Sequence, residues 1–173
     1  MSQTRSHVKR ASAALLLAAS LAGCGFQLRG SGDSYNMPFH SIFLSFPDTS
    51  PFGTELKRNL RAGDHVVIAD KPEGAEAQFD LLAESRGRSI LSLNSLGRVR
   101  EYLLTYTVVF RVRDAKGAEM LGPTEITLKR NMAFDETQVL AKEAEANLLY
   151  RDMQGDVVQQ ILRRLAAIKP ASA

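Results

Sequence analysis

The stretch Glu101-Tyr-Leu-Leu-Thr-Tyr-Thr-Val-Val-Phe-Arg-Val-Arg113 decides the fold. Tyr102, Leu104, Tyr106, Val108, Phe110 and Val112 occupy alternate positions, with Thr105, Thr107 and Arg111 between them. A period of two sustained over a dozen residues means a long strand with one buried face, the pattern of an antiparallel sheet covered on one side. Asp114-Ala-Lys-Gly117 closes this strand with a tight turn, and a partner strand follows. The partner is interrupted at Gly122-Pro123 and regular from Thr124 to Phe134, with Ile126, Leu128 and Met132 on one face. On the N-terminal side, Phe79 to Leu93 is strand-like throughout, and Gly87 within it predicts a bulge.

Two shorter strands, Ser41–Phe46 and His65–Ala69, flank a helix. Ser50 as N-cap, Pro51 in the first turn and Gly63 beyond the end bracket that helix at 51–62. Phe52, Leu56 and Leu60 form its buried stripe. At the C-terminus, Leu149, Met153, Val157, Ile161, Leu165 and Ile168 recur every three to four residues, predicting one helix over 138–168 that Pro170 stops. Gly155 inside it costs about 1 kcal/mol relative to Ala, a cost that close packing would offset. The expected class is α+β: a mostly antiparallel or mixed sheet of about four strands with two helices packed on it.

The first 23 residues stand apart. Arg5, Lys9 and Arg10 precede an apolar run from Ala11 to Leu21, and no acidic residue occurs before Asp33. The run is too short to span a membrane, which takes about 20 residues, and it describes an export signal. It ends in Leu21-Ala22-Gly23-Cys24, a lipobox. Cys24, the only cysteine in the chain, is the expected lipidation site. Its covalent lipid would be a diacylglycerol thioether plus an N-acyl chain such as palmitate, and several chains make an anchor far firmer than one. Gly25, in place of Asp, points to the outer membrane. The expected organisation is signal peptide 1–23, lipid-anchored linker 24–40 and α+β domain 41–173.

The signal also accounts for the basic balance. Without its three cations, 19 of the 22 Lys and Arg remain, equal to the 19 Asp and Glu. A neutral mature chain offers no global attraction for nucleic acid. No catalytic constellation emerges, and with His40 and His65 isolated there is no ligand set for a metal. The expectation is no enzyme, no metal and no cofactor beyond the lipid. Basic residues do gather near strand ends: Arg86, Arg88, Arg98 and Arg100 around Asn94-Ser-Leu-Gly97, and Lys129 and Arg130 on the partner strand. They read either as a solvated edge that discourages strand pairing or as a site for an anionic headgroup gripped by guanidinium forks.

Four stretches together carry a resemblance: Cys24-Gly-Phe-Gln-Leu-Arg29, Phe52-Gly-Thr-Glu-Leu to Leu60, Arg100-Glu-Tyr102, and Gln138-Val-Leu-Ala-Lys142. In order and spacing the chain resembles the LptE family of lipopolysaccharide-assembly lipoproteins over nearly all its mature length. The resemblance implies a sheet with two helices, a place inside the lumen of the outer-membrane barrel LptD facing the periplasm, help in folding that barrel, and lipopolysaccharide binding during its transport. A neutral chain of this size suits such a plug. The resemblance also implies basic lipopolysaccharide contacts. Lys142 matches one of them. At the other, in the turn before the Glu-Tyr strand, this chain has Ser95, with Arg98 and Arg100 displaced toward the strand. The alternative is a free periplasmic lipid-binding lipoprotein or a subunit of another outer-membrane assembly machine.

Overall fold

The computed structural model describes residues 35–169, apart from 48, 64 and 65. The export signal, the lipobox, Cys24 and the first part of the linker lie outside the described residues, as does His65. The elements run β1 (Ser41–Ser45), α1 (Pro51–Ala62), β2 (Val67–Ala69), β3 (Ala77–Leu93), β4 (Val99–Asp114), β5 (Glu119–Ala133), a 3₁₀ turn (Glu136–Gln138) and α2 (Val139–Ala166). The sheet has five strands in the order β2-β1-β3-β4-β5, one more than expected, because the short β2 joins at the edge. β1 is parallel to both β2 and β3, whereas β3, β4 and β5 form an antiparallel meander. The sheet is therefore mixed, with two helices on one face.

β4 is its spine. Leu104, Tyr106, Val108, Phe110 and Val112 are all fully buried on the helix side. Phe79 on β3 stacks on Phe110 with ring centroids 5.2 Å apart. α1 begins where the sequence places it: the Ser50 hydroxyl accepts from the Gly53 amide at 3.0 Å, and Pro51 occupies the first turn. Gly53 admits the ring of Phe46, since a Cβ there would come within 2.3 Å of it. α2 contributes Met153, Val157, Val158, Ile161 and Leu165 to the core. Gly155 lies where the two helices meet; a Cβ on it would approach Glu55 Oε1 to 3.3 Å. A side chain at this position would crowd the Glu55 carboxylate, whose other oxygen accepts from Gln154 at 2.8 Å.

Three boundaries differ from the sequence reading. The linker is shorter than 24–40: the Tyr35 hydroxyl donates to Gln159 Oε1 at 3.2 Å, Met37 packs on the core and Phe39 is buried. The break in β3 is not at Gly87, which sits in regular register opposite Thr105. It falls between Leu81 and Ala83, and a second lies between Ile90 and Ser92. The first irregularity flips the alternation, so that Glu84, Arg86 and Arg88 pair with Val108, Tyr106 and Leu104 on the helix side while Ala83, Ser85, Gly87 and Ser89 take the open face. Finally, β5 begins at Glu119 and accommodates Gly122-Pro123 through irregular pairing opposite Phe110 to Arg113.

On the open face, Asp80 accepts from Arg111 Nε at 2.9 Å and from Arg113 Nε at 2.7 Å. Burial alone would raise its pKa, but the hydrogen bonds from Arg113 and Arg111 hold it below the usual carboxylate range. A depressed folded-state pKa contributes stability that is complete above the unfolded value of about 4 and disappears as pH falls through the folded value. Asp80→Asn is expected to lower stability near neutral pH and to flatten its decline below about pH 4, as read by urea titrations along a pH series. Phe110→Ala, which empties the centre of the core, is expected to cost about 3–5 kcal/mol in the same titration at pH 7.

Candidate lipid-binding end of the sheet

The β3–β4 turn, the end of β5 and the start of α2 converge at one end of the sheet. Asn94 organises the turn, its side-chain oxygen accepting from the amides of Leu96 and Arg98, each at 3.0 Å. Gly97 takes a φ of 74° there, a conformation that favours glycine. The turn is tied to the segment after β5 by Arg98 Nη1 on Glu136 Oε2 at 3.3 Å, and the Phe134 amide donates to the Arg100 carbonyl at 2.8 Å. Tyr102 and Phe134 meet edge to face with centroids 5.0 Å apart. Asp135 caps the 3₁₀ turn, and hydrogen bonds from the Thr137 amide and hydroxyl lower its pKa.

Arg86 and Arg88 behave differently from the surface cations the sequence suggests. The Arg86 guanidinium lies 5.7 Å from the Tyr106 ring centre and 5.4 Å from that of Tyr150, and donates to Gln154. Arg88 lies 5.4 Å from the Tyr102 ring and grips Glu143 with two hydrogen bonds of 2.6 and 3.0 Å. That grip lowers the Glu143 pKa and raises that of Arg88. Tyr106 donates to Glu84 at 2.7 Å; burial, and then this bond, push its pKa up. Arginine stacked on tyrosine thus covers the part of the sheet where aliphatic packing gives out.

The three basic residues expected to contact lipid are brought to this one end, in unequal states. Lys142 is only 18% exposed and its ammonium lies 2.8 Å from Glu145 Oε2, one helical turn on. Arg98 is 63% exposed and paired with Glu136. Arg100 is exposed and, among the described residues, has no ion-pair partner. Around them stands an apolar set that the sequence reading missed: Ile90, Leu91, Leu93 and Leu96 on the hairpin, and Val139 and Leu140 at the start of α2. Leu96 and Leu140 are 77% and 88% exposed. Their spacing resembles ordinary strand and helix positions, and nothing in it marks them as exposed. Among the described residues no group of three or more His, Cys, Asp or Glu could hold a metal, and no helix is long and apolar enough to cross a membrane.

The sequence profile of LptE, described as lipopolysaccharide-assembly, matches residues 39–165, from the buried Phe39 to the last core leucine of α2. The chain belongs to the LptE family. The LPS-assembly lipoprotein LptE of Pectobacterium atrosepticum is 27% identical over 150 residues, covering 85% of this chain and 79% of that protein. Among solved structures, the uncharacterized lipoprotein B of Nitrosomonas europaea superposes with a TM-score of 0.68 at 40% identity, over 83% of this chain and 91% of that one. The rare lipoprotein B of Shewanella oneidensis follows at 0.66 and 31%, over 73% and 94%. These matches confirm the expected α+β class and family for this LptE chain.

The Arg88–Glu143 clamp should hold the hairpin against α2. Arg88→Ala is expected to cost about 1–2 kcal/mol through lost stacking and ion pairing, and Glu143→Gln less, with a coupling energy between them detectable in a double-mutant cycle by urea denaturation.

Proposed function

We propose that this chain is a non-enzymatic outer-membrane lipoprotein, anchored through lipid on Cys24, that sits in the lumen of an LptD-type barrel, helps assemble it and takes part in lipopolysaccharide transport. Membership of the lipopolysaccharide-assembly family across the whole described fold is the observation that carries this reading. The Pectobacterium relative is named as an LPS-assembly lipoprotein. Cleavage before Cys24, a diacylglycerol thioether with an N-acyl chain, and sorting to the outer membrane with Gly25 after the cysteine complete it. No metal or soluble cofactor is part of the proposal.

The end of the sheet described above suits an amphiphile. Exposed leucines on the hairpin offer apolar contact beside Arg98, Arg100 and Lys142, whose cations would meet the phosphates of lipopolysaccharide. Arg100 needs no ion pair broken before it binds an anion, whereas Arg98 and Lys142 must leave Glu136 and Glu145. Arg100 is therefore the leading contact of the three.

Affinity purification of the lipidated protein is expected to recover a large barrel of the LptD type; recovery of soluble partners alone would overturn the reading. For lipid, reversing the charge at Arg98, Arg100 and Lys142 together is expected to weaken lipopolysaccharide binding by about ten- to a hundredfold, from roughly 0.5–1 kcal/mol per exposed charge contact. Arg100→Ala alone should weaken binding more than Lys142→Ala. Equal binding by all variants in a lipopolysaccharide titration would reduce these residues to a solvated surface.

A further inference from the structure

The outermost strands of the sheet are β2 and β5, and beyond Asp80, where β1 ends, β3 presents a further free edge built differently from that of β5. Along β5, Gly122-Pro123 and irregular pairing disturb the start of the strand, and Glu125, Lys129 and Arg130 are exposed. Charges, proline and irregularities are the ordinary guards of an edge against unwanted pairing. β3 lacks them. β1 pairs with it only from Ala77 to Asp80, and every residue from Leu82 to Leu91 is exposed. From Ala83 to Ile90 its register with β4 runs unbroken, without proline or lysine.

The charged side chains of that segment are all drawn to the helix side. Glu84 accepts from Tyr106, Arg86 lies against Tyr106 and Tyr150, and Arg88 lies against Tyr102 and grips Glu143. On the other face stand Ala83, Ser85, Gly87 and Ser89, all too small to obstruct a neighbouring strand. Leu82 and Ile90, 45% and 57% exposed, offer apolar contact at the two ends. The Gly87 carbonyl already takes a donor from outside the ladder, the Tyr150 hydroxyl at 2.7 Å. Beside the segment a cleft of about 480 Å³ lies between the first turns of α1 and the middle of α2, lined by Pro51, Glu55, Arg86, Arg151, Asp152 and Gln154 among others.

We propose that the outer edge of β3, from Leu82 to Ile90, is a docking edge that takes one extended segment of the barrel partner as an added strand, in the row that β1 occupies as far as Asp80. The inference rests on the functional reading above and names the surface through which that partner is held. Main-chain hydrogen bonding would supply the affinity and alternate side chains the selectivity. Side chains turned to the helix side enter the cleft, where Arg151 and Asp152 present one cation and one anion, so polar residues fit there. The wall strands of a closed barrel already use both their edges; the occupant is therefore a connecting loop or terminal segment of the partner.

The test uses the full lipidated chain purified with its barrel. Backbone hydrogen exchange over 83–89 is expected to slow at least tenfold in the complex relative to the free protein, with exchange at the outer edge of β5 unchanged. Ser85→Lys with Ser89→Lys, at exposed positions, restores the missing guards and is expected to reduce the barrel recovered about tenfold, whereas Thr127→Lys on β5 leaves it unaltered. Circular dichroism and urea titration verify that the variants fold. A barrel recovered in full by the β3 variant, or exchange over 83–89 that is the same in both states, overturns the docking edge alone. Absence of any barrel from the wild-type isolate overturns the functional reading and the docking edge with it.

Discussion

Everything in this molecule depends on covering one face of β4. Its alternating row from Tyr102 to Val112 is apolar enough that leaving it in water is untenable, and each fully buried large side chain contributes about 1.5–3 kcal/mol. Sixteen residues of strand reach about 54 Å at roughly 3.4 Å each, whereas the 28 residues of α2 reach about 42 Å at 1.5 Å each. A single helix cannot roof the whole strand. α1 fills one end beside β1, with Phe52, Leu56 and Leu60. At the other end the roof is made of side chains: Arg86 on Tyr106 and Tyr150, and Arg88 on Tyr102. The polar character of that end, and the leucines exposed beyond it, follow from the shortfall.

The elements set by local chemistry were legible in the sequence. Ser50 and Pro51 start α1 where the capping rules place it, and the turns at Asn94–Gly97 and Asp114–Gly117 carry the glycines that their positive φ values call for. β4 declared itself by its period. What escaped was pairing information. The irregularity in β3 falls at Leu82 rather than Gly87, because which residue is extra depends on two strands taken together, whereas glycine only makes a bulge easy. That displacement moves Glu84, Arg86 and Arg88 from an apparent surface to the helix side. Lys142 was legible as a residue, yet its pairing with Glu145 and its near burial belong to the folded helix.

The same logic explains why the basic residues near the turn are unequal. Arg88, Arg98 and Lys142 each meet a carboxylate supplied by the segment after β5 or by α2, namely Glu143, Glu136 and Glu145. The first two pairs fasten the hairpin to α2 and to the segment after β5 at partly exposed sites, where single ion pairs are individually weak, whereas Lys142–Glu145 lies within α2, three residues apart. Arg100, exposed at the start of β4, has no ion-pair partner among the described residues and is left for other work.

The parallel strand β1 has a consequence for how the chain folds. β3, β4 and β5 join through two tight turns, so their contacts close short loops. β1 reaches β3 only after the chain has travelled through α1 and β2, from Ile42 to Ala77, and α2 must return from the far end of the sequence. Local meander first and distant elements later is the order that loop-closure entropy favours. In such a sequence of events the meander acts as a template on which the N-terminal unit and the last helix condense. Substitutions in β1 would then act mainly on the rate of unfolding, and those in the β3–β4 hairpin on the rate of folding.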